Sequence, residues 1–226
     1  MNDIQGTPSR PGPEADLVWE FVQSAALSAR GTGFCSVLIE PYLEASRPDI
    51  VAVYWDSSVT DSWPRARRSL QKLDLRLAHL LYLRGPLAEQ ELEVAFPRRL
   101  GSSLERLEQA AVVDCTAGLW SLKDMATIFA VERIVAFEAK ISKLSTALNQ
   151  AHLNTWFASE SNVLTRVTRP RASTIERAHL LGVGLLVQAE GATPLQLVAA
   201  DECDIPQSYA SWLFNESVWK AVVGAD

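Results

Sequence analysis

Three positions in this chain carry residue types able to act together on a phosphate. Asp49 follows Pro48 and opens the apolar run IVAVYW, residues 50–55. Glu138 and Lys140 close a second apolar run, IVAFEAK, residues 134–140. In a strand, residues two apart point to one face, so Glu138 and Lys140 project together. Neither charge can be buried alone without a large cost, so each must meet water, its neighbour or a partner. The plain reading is a strand end where two charges leave the core and pair. Asp49 adds a second carboxylate at the edge of another apolar strand, and that changes the chemistry on offer. Two carboxylates and a lysine are the parts needed to cleave a phosphodiester. Carboxylate oxygens hold Mg²⁺ (or Mn²⁺), a hard cation. Such a metal lowers the pKa of a bound water and offsets charge developing on the phosphate. The lysine can orient the attacking water or neutralise that charge.

The elements that must place these residues follow from periodicity. Leu17, Phe21, Ala25 and Leu27 or Ser28 predict a helix over 16–30, stopped by Gly31 and Gly33. Residues 34–39 and 50–55 read as two strands close enough for a hairpin. Residues 133–140 form the Glu-x-Lys strand, and 143–158 a helix with Leu144, Ala147, Leu148 and Ala151 on one stripe. Gln150 and Asn154, four apart, share another face, either towards solvent or lining a cleft beside Lys140. Strands at 162–167 and 182–187 follow. A helix over 205–223 offers Trp212, Phe214 and Trp219 as core or docking residues.

The middle of the chain reads differently. Leu70, Leu73, Leu77, Leu80 and Leu81 make an amphipathic helix over 70–83, ended by Gly85-Pro86. A short helix spans 87–96. Ser102 to Glu105 matches a capping box and starts a third helix to about 111. Residues 112–113 and 119–122 then make a small hairpin. Three helices and a hairpin are the plan of a winged helix-turn-helix. Residues 65–123 hold 10 Lys and Arg against 7 Asp and Glu, a net of +3, while the rest of the chain carries −9. The expected organisation is a disordered tail at 1–15, a discontinuous α/β core with a mixed sheet at 16–64 and 124–226, and a winged-helix-like insert at 65–123.

Pro48-Asp49 with Glu138-Ala139-Lys140 resembles the PD-(D/E)XK signature of the restriction-endonuclease-like nuclease superfamily. The order of elements over about 16–187 is similar to that fold, interrupted by the middle segment. The resemblance implies Asp49 and Glu138 as metal ligands and Lys140 as the catalytic lysine. It also implies Glu20, on the first helix, as a further metal ligand. Gln150, on the helix after the Glu-x-Lys strand, is implied as a further catalytic residue. Asp49 and Glu138 lie 89 positions apart, farther than a plain hairpin-to-strand connection requires. A folded insert whose two ends leave the sheet side by side accounts for that distance. The implied function is metal-dependent hydrolysis of DNA phosphodiesters. The competing expectation is a non-catalytic regulator of the same fold that binds DNA or protein.

The insert would meet DNA phosphates through Arg65, Arg67, Arg68, Arg98, Arg99 and Arg106. Glu105 and Glu108 beside Arg106 weaken that surface, and winged helices also dock proteins. A homodimer or a protein partner is a further expectation. The overall charge of −6 argues against a general nucleic-acid coat. Cys35, Cys115 and Cys203 form neither a disulfide framework nor a zinc pattern, and three scattered histidines give no metal triad. No apolar run is long enough to span a membrane, and no secretory leader is visible, so a cytoplasmic setting is expected. The chain carries no phosphate-loop, nucleophile-elbow or HExxH motif.

Overall fold

A computed structural model describes residues 3–24, 26–27, 34–43, 46–205 and 208–223. The chain forms two units, Met1–Trp55 with Glu132–Gln207 and Asp56–Val131 with Ser208–Asp226. The first opens with β1 (Asp3–Gln5), α1 (Pro13–Gln23), β2 (Phe34–Ile39) and β3 (Ile50–Trp55). The second follows with α2 (Ser57–Thr60), a 3-10 turn (Arg65–Ser69), α3 (Lys72–Arg84), β4 (Leu87–Ala88) and α4 (Glu89–Ala95). It continues with α5 (Leu100–Gln109), β5 (Val113–Thr116), β6 (Leu119–Leu122) and α6 (Met125–Ile128). The chain then returns through β7 (Val131–Lys140), α7 (Leu144–Asn154), β8 (Glu160–Thr165), α8 (Ala172–Leu180), β9 (Gly184–Val187) and β10 (Leu195–Val198). It ends in the second unit with α9 (Tyr209–Val223).

The first unit is α/β, built on a seven-stranded sheet in the order β1-β2-β3-β7-β8-β9-β10. The sheet is mixed: β1/β2, β7/β8 and β8/β9 pair parallel, whereas β2/β3 and β9/β10 pair antiparallel. The near-continuous apolar run in β7 follows from burial on both faces. Val135, Phe137 and Ala139 pack with Leu17 and Phe21 of α1, the Phe21 and Phe137 rings lying 4.9 Å apart. On the other face, Ala147, Leu148 and Ala151 of α7 pack on Val163 and Leu185, with Ala178 of α8 beside them. Each large apolar side chain so buried contributes roughly 1.5–3 kcal/mol. The alternation leaves one buried exception on β7, Glu138, at 4% exposure.

In the second unit, Leu75, Leu77, Ala78 and Leu81 of α3 meet Leu92, Leu104 and Leu107 around one core. A small antiparallel sheet, β4-β6-β5, sits with them.

Three expectations need correction. Residues 1–15 are not wholly a disordered tail. Residues 3–5 add a parallel edge strand to β2, which needs open backbone groups more than an apolar pattern. Helix α1 starts at Pro13, where a fixed φ suits the first helical position, and ends at Gln23; Ala25 and residues 28–33 lie outside the described residues. The C-terminal helix belongs with the second unit rather than the core, and the unit boundaries fall at 55/56 and 131/132 instead of 64/65 and 123/124. The reason is packing: Trp212 enters the leucine core of α3 and α5, and Trp219 stacks near Trp63 at 6.1 Å. Both tryptophans are 2% exposed, so neither offers a surface to another chain. Finally, α5 begins at Leu100, so Ser102 and Glu105 lie inside it and form no capping box; Ser102 Oγ donates to the Arg99 carbonyl instead. Among the described residues no helix is long and apolar enough to cross a membrane.

Candidate functional site

Asp49 stands immediately before β3, and Glu138 and Lys140 lie at the end of the neighbouring β7. The backbone N–H of Ala139 donates to Asp49 Oδ2 at 2.7 Å. Lys140 Nζ lies 3.6 Å from the same oxygen and 3.2 Å from Glu14 Oε2, and donates to the Ala139 carbonyl at 3.0 Å. Glu138 turns to the α7 side, where Asn154 Nδ2 donates to its Oε1 at 2.8 Å. The three residues of the Asp and Glu-x-Lys pattern therefore gather at one end of the central strand pair β3/β7, where Glu138 feels the charges of Asp49 and Lys140.

Their electrostatics are those of an acid-rich, partly buried cluster. Burial pushes the Glu138 carboxyl up to about 7, and the charge of Asp49 adds to the rise. The Asn154 hydrogen bond and Lys140 oppose this without cancelling it. Burial also raises Asp49, against the pull of Lys140 and of the Ala139 N–H. Burial works against the charged form of Lys140, but Asp49 and Glu14 outweigh it and hold the ammonium above its ordinary range. Asp49 Oδ1 and Glu138 Oε2 accept no hydrogen bond from the described residues. No three His, Cys, Asp or Glu side chains among the described residues cluster as a metal cage.

Two further expectations fall away from this point. Glu20 is committed elsewhere: it pairs with Arg166, just past β8, and accepts the Gly191 N–H at 2.6 Å. The Arg166 hydrogen bond holds its carboxyl below the usual range. Gln150 is exposed on the outer face of α7. The positions that do reach the site are Glu14 and Asn154. Glu14 fell in the stretch read as tail, although Pro13 with Glu14 and Asp16 is a helix-start signal. Asn154 continues the buried stripe of Ala147 and Ala151, and a carboxamide on an apolar stripe needs a partner.

The arginines of the second unit separate into two kinds. Arg67 is 1% exposed, stacked 3.3 Å over the Trp63 ring and paired with Glu216 at 2.6 Å, which removes it from any nucleic-acid surface. Arg106 forms a two-pronged pair with Asp74. Arg65 and Arg68 are exposed on the 3-10 turn. Arg98 and Arg99 are exposed before α5 and line, with Arg76, Leu73 and Phe96, a groove of about 880 Å³.

No protein-family model matches this chain, and neither a curated protein nor a solved structure matches it significantly.

Proposed function

We propose that this chain is a metal-dependent nuclease of the PD-(D/E)XK kind, hydrolysing DNA phosphodiesters at the edge formed by Asp49, Glu138 and Lys140. The observation that carries the reading is that these three residues, from positions 49 and 138–140, meet at one end of the central strands β3 and β7. The donor set suits Mg²⁺ or Mn²⁺. Two carboxylates repel each other in a partly buried place, and each keeps one oxygen without a hydrogen bond from the described residues. Mg²⁺ is held by one or two carboxylates while keeping several waters, so a third protein ligand is not required. Asp49 and Glu138 would hold the cation, which supplies a nucleophilic water and charge compensation. The Ala139 N–H fixes the Asp49 carboxylate, and Asn154 fixes that of Glu138. The Lys140 ammonium, fixed against Asp49, faces the charge that develops on the phosphate.

In the second unit, the succession α3, α4, α5 and the β5–β6 hairpin supports a winged-helix reading, with Arg65, Arg68, Arg98 and Arg99 as phosphate contacts. Arg98→Glu with Arg99→Glu should weaken DNA binding and flatten its salt dependence by roughly one to two counterions.

One contact favours the second reading, a non-catalytic regulator. Glu14 occupies the Lys140 ammonium at 3.2 Å, where a phosphate would otherwise sit. Calorimetric titration of Mg²⁺ and Mn²⁺ into wild type and Glu138→Ala, with cleavage of plasmid and single-stranded DNA, separates the two. Binding lost in the variant together with cleavage by wild type supports the nuclease. Absence of metal binding at millimolar concentration, with or without DNA, leaves the regulator.

A further inference from the structure

Beside Lys140 lies a slot of about 360 Å³ that the cleavage chemistry does not use. Its walls are Pro11, Pro13 and Ala15 at the start of α1 and Ile141, the residue after Lys140. Arg10 lines it as well, and Glu14 belongs both to the slot and to the Lys140 ion pair. The slot therefore adjoins the reactive edge through two shared points, Glu14 and the 140–141 step.

We propose that this slot takes one unpaired nucleobase next to the scissile phosphate, so that the substrate is single-stranded or locally unpaired nucleic acid. The inference rests on the nuclease reading and narrows it. Pocket size is the first argument, because ligand pockets start at roughly 300 Å³ and this one has room for a single ring system with its sugar. Wall chemistry is the second. Proline, alanine and isoleucine present flat apolar surface without side-chain donors or acceptors, so they cover a base face without reading its edge. Inside a duplex both faces of a base are already stacked, and extruding one costs a few kcal/mol, least for a strand that is already single. Charge is the third. Arg10, Lys140 and Arg47, the last paired with Glu40 at 2.8 Å, supply cations along the strand's path, whereas Glu14, Glu40, Asp49 and Glu138 supply acids. That balance gives weak unassisted attraction for the densely charged duplex and leaves base burial to hold the strand.

The test uses the full chain and labelled single-stranded and duplex oligonucleotides of one sequence. Binding is read by anisotropy in Ca²⁺, and cleavage in Mn²⁺. The single strand should bind and be cut about tenfold better than the duplex, and an abasic position beside the cut should remove about as much. Ile141→Thr should lower single-strand affinity about fivefold while leaving the Mn²⁺ isotherm unchanged, as expected for loss of base stacking alone. Ala15→Leu fills the same slot from α1 and gives the answer should the Ile141 variant fold poorly. Equal handling of single strand, duplex and abasic strand overturns the slot while leaving cleavage established. Absence of cleavage overturns the nuclease reading, and the anisotropy contrast still decides whether the slot holds a base.

Discussion

Asp49 and Ala139, 90 positions apart, are joined by a 2.7 Å hydrogen bond from the Ala139 N–H to the Asp49 carboxylate. The bond ties the Asp49 carboxylate to the backbone in the middle of the Glu-x-Lys triplet, while the Asn154 side chain holds the carboxylate of Glu138. It also makes the site sensitive to charge in a way that can be measured.

Glu138 is held protonated by burial up to about pH 7, against an ordinary value of 4.5. The folded state therefore binds more protons than the unfolded state between those values, and stability without metal falls as pH rises through that window. Glu138→Gln should match wild type near pH 4 and exceed it at pH 8 by on the order of 3 kcal/mol, read from urea midpoints in chelator. Added Mg²⁺ should raise the wild-type Tm at pH 8, lose that effect below pH 7, and leave Glu138→Gln unmoved. A wild-type stability that rises between pH 5 and 7 would contradict the buried carboxylate.

On the nuclease reading, Asn154 would act as a positioning residue through its hydrogen bond to Glu138. Asn154→Leu removes the donor, so the Glu138 carboxyl should rise further and the acid limb of the pH–rate profile should move to higher pH. At pH 7 a rise of one unit lowers the rate about fivefold, and the loss should shrink above pH 9. A pH-independent loss would show that Asn154 serves packing only.

The two glutamates of α1 should behave differently. Glu20→Gln should keep the Mn²⁺ isotherm and the cleavage rate, with a small fall in Tm from the unpaired Arg166. Glu14→Gln should leave Tm nearly unchanged but lower the pH at which Lys140 loses its proton, since Glu14 supports its charge. Equal effects of the two variants on metal binding would place Glu20 at the site after all.

Arg67 and Glu216 are 1% and 3% exposed along their side chains. Breaking that pair from one side should cost about 3–5 kcal/mol, because a buried charge is left alone. Arg67→Met with Glu216→Leu should recover most of the loss, as apolar side chains can fill such a space. Trp63 fluorescence follows the transition, since its ring lies under the guanidinium.

Much of this was legible from residue patterns. The two-faced apolar runs named β3 and β7, and period two placed Glu138 with Lys140. Leucine spacing named α3. What spacing could not show was which partner each polar residue would choose. Glu20 looks as suitable as Glu14 until Arg166 arrives from beyond β8, 146 residues away. Arg67 looks like Arg65 and Arg68 until α9 brings Glu216 against it. β1 has too few residues to carry any pattern, and β10 buries only Val198, its first three residues being exposed.

The chain passes between its two units at 55/56, 131/132 and 207/208. No single contiguous segment of the chain holds the whole second unit. A fragment of residues 56–131 would lack α9, exposing the surface that receives Trp212 and stranding the Arg67 guanidinium. Domain hunting by contiguous segments would cut this protein in the wrong places.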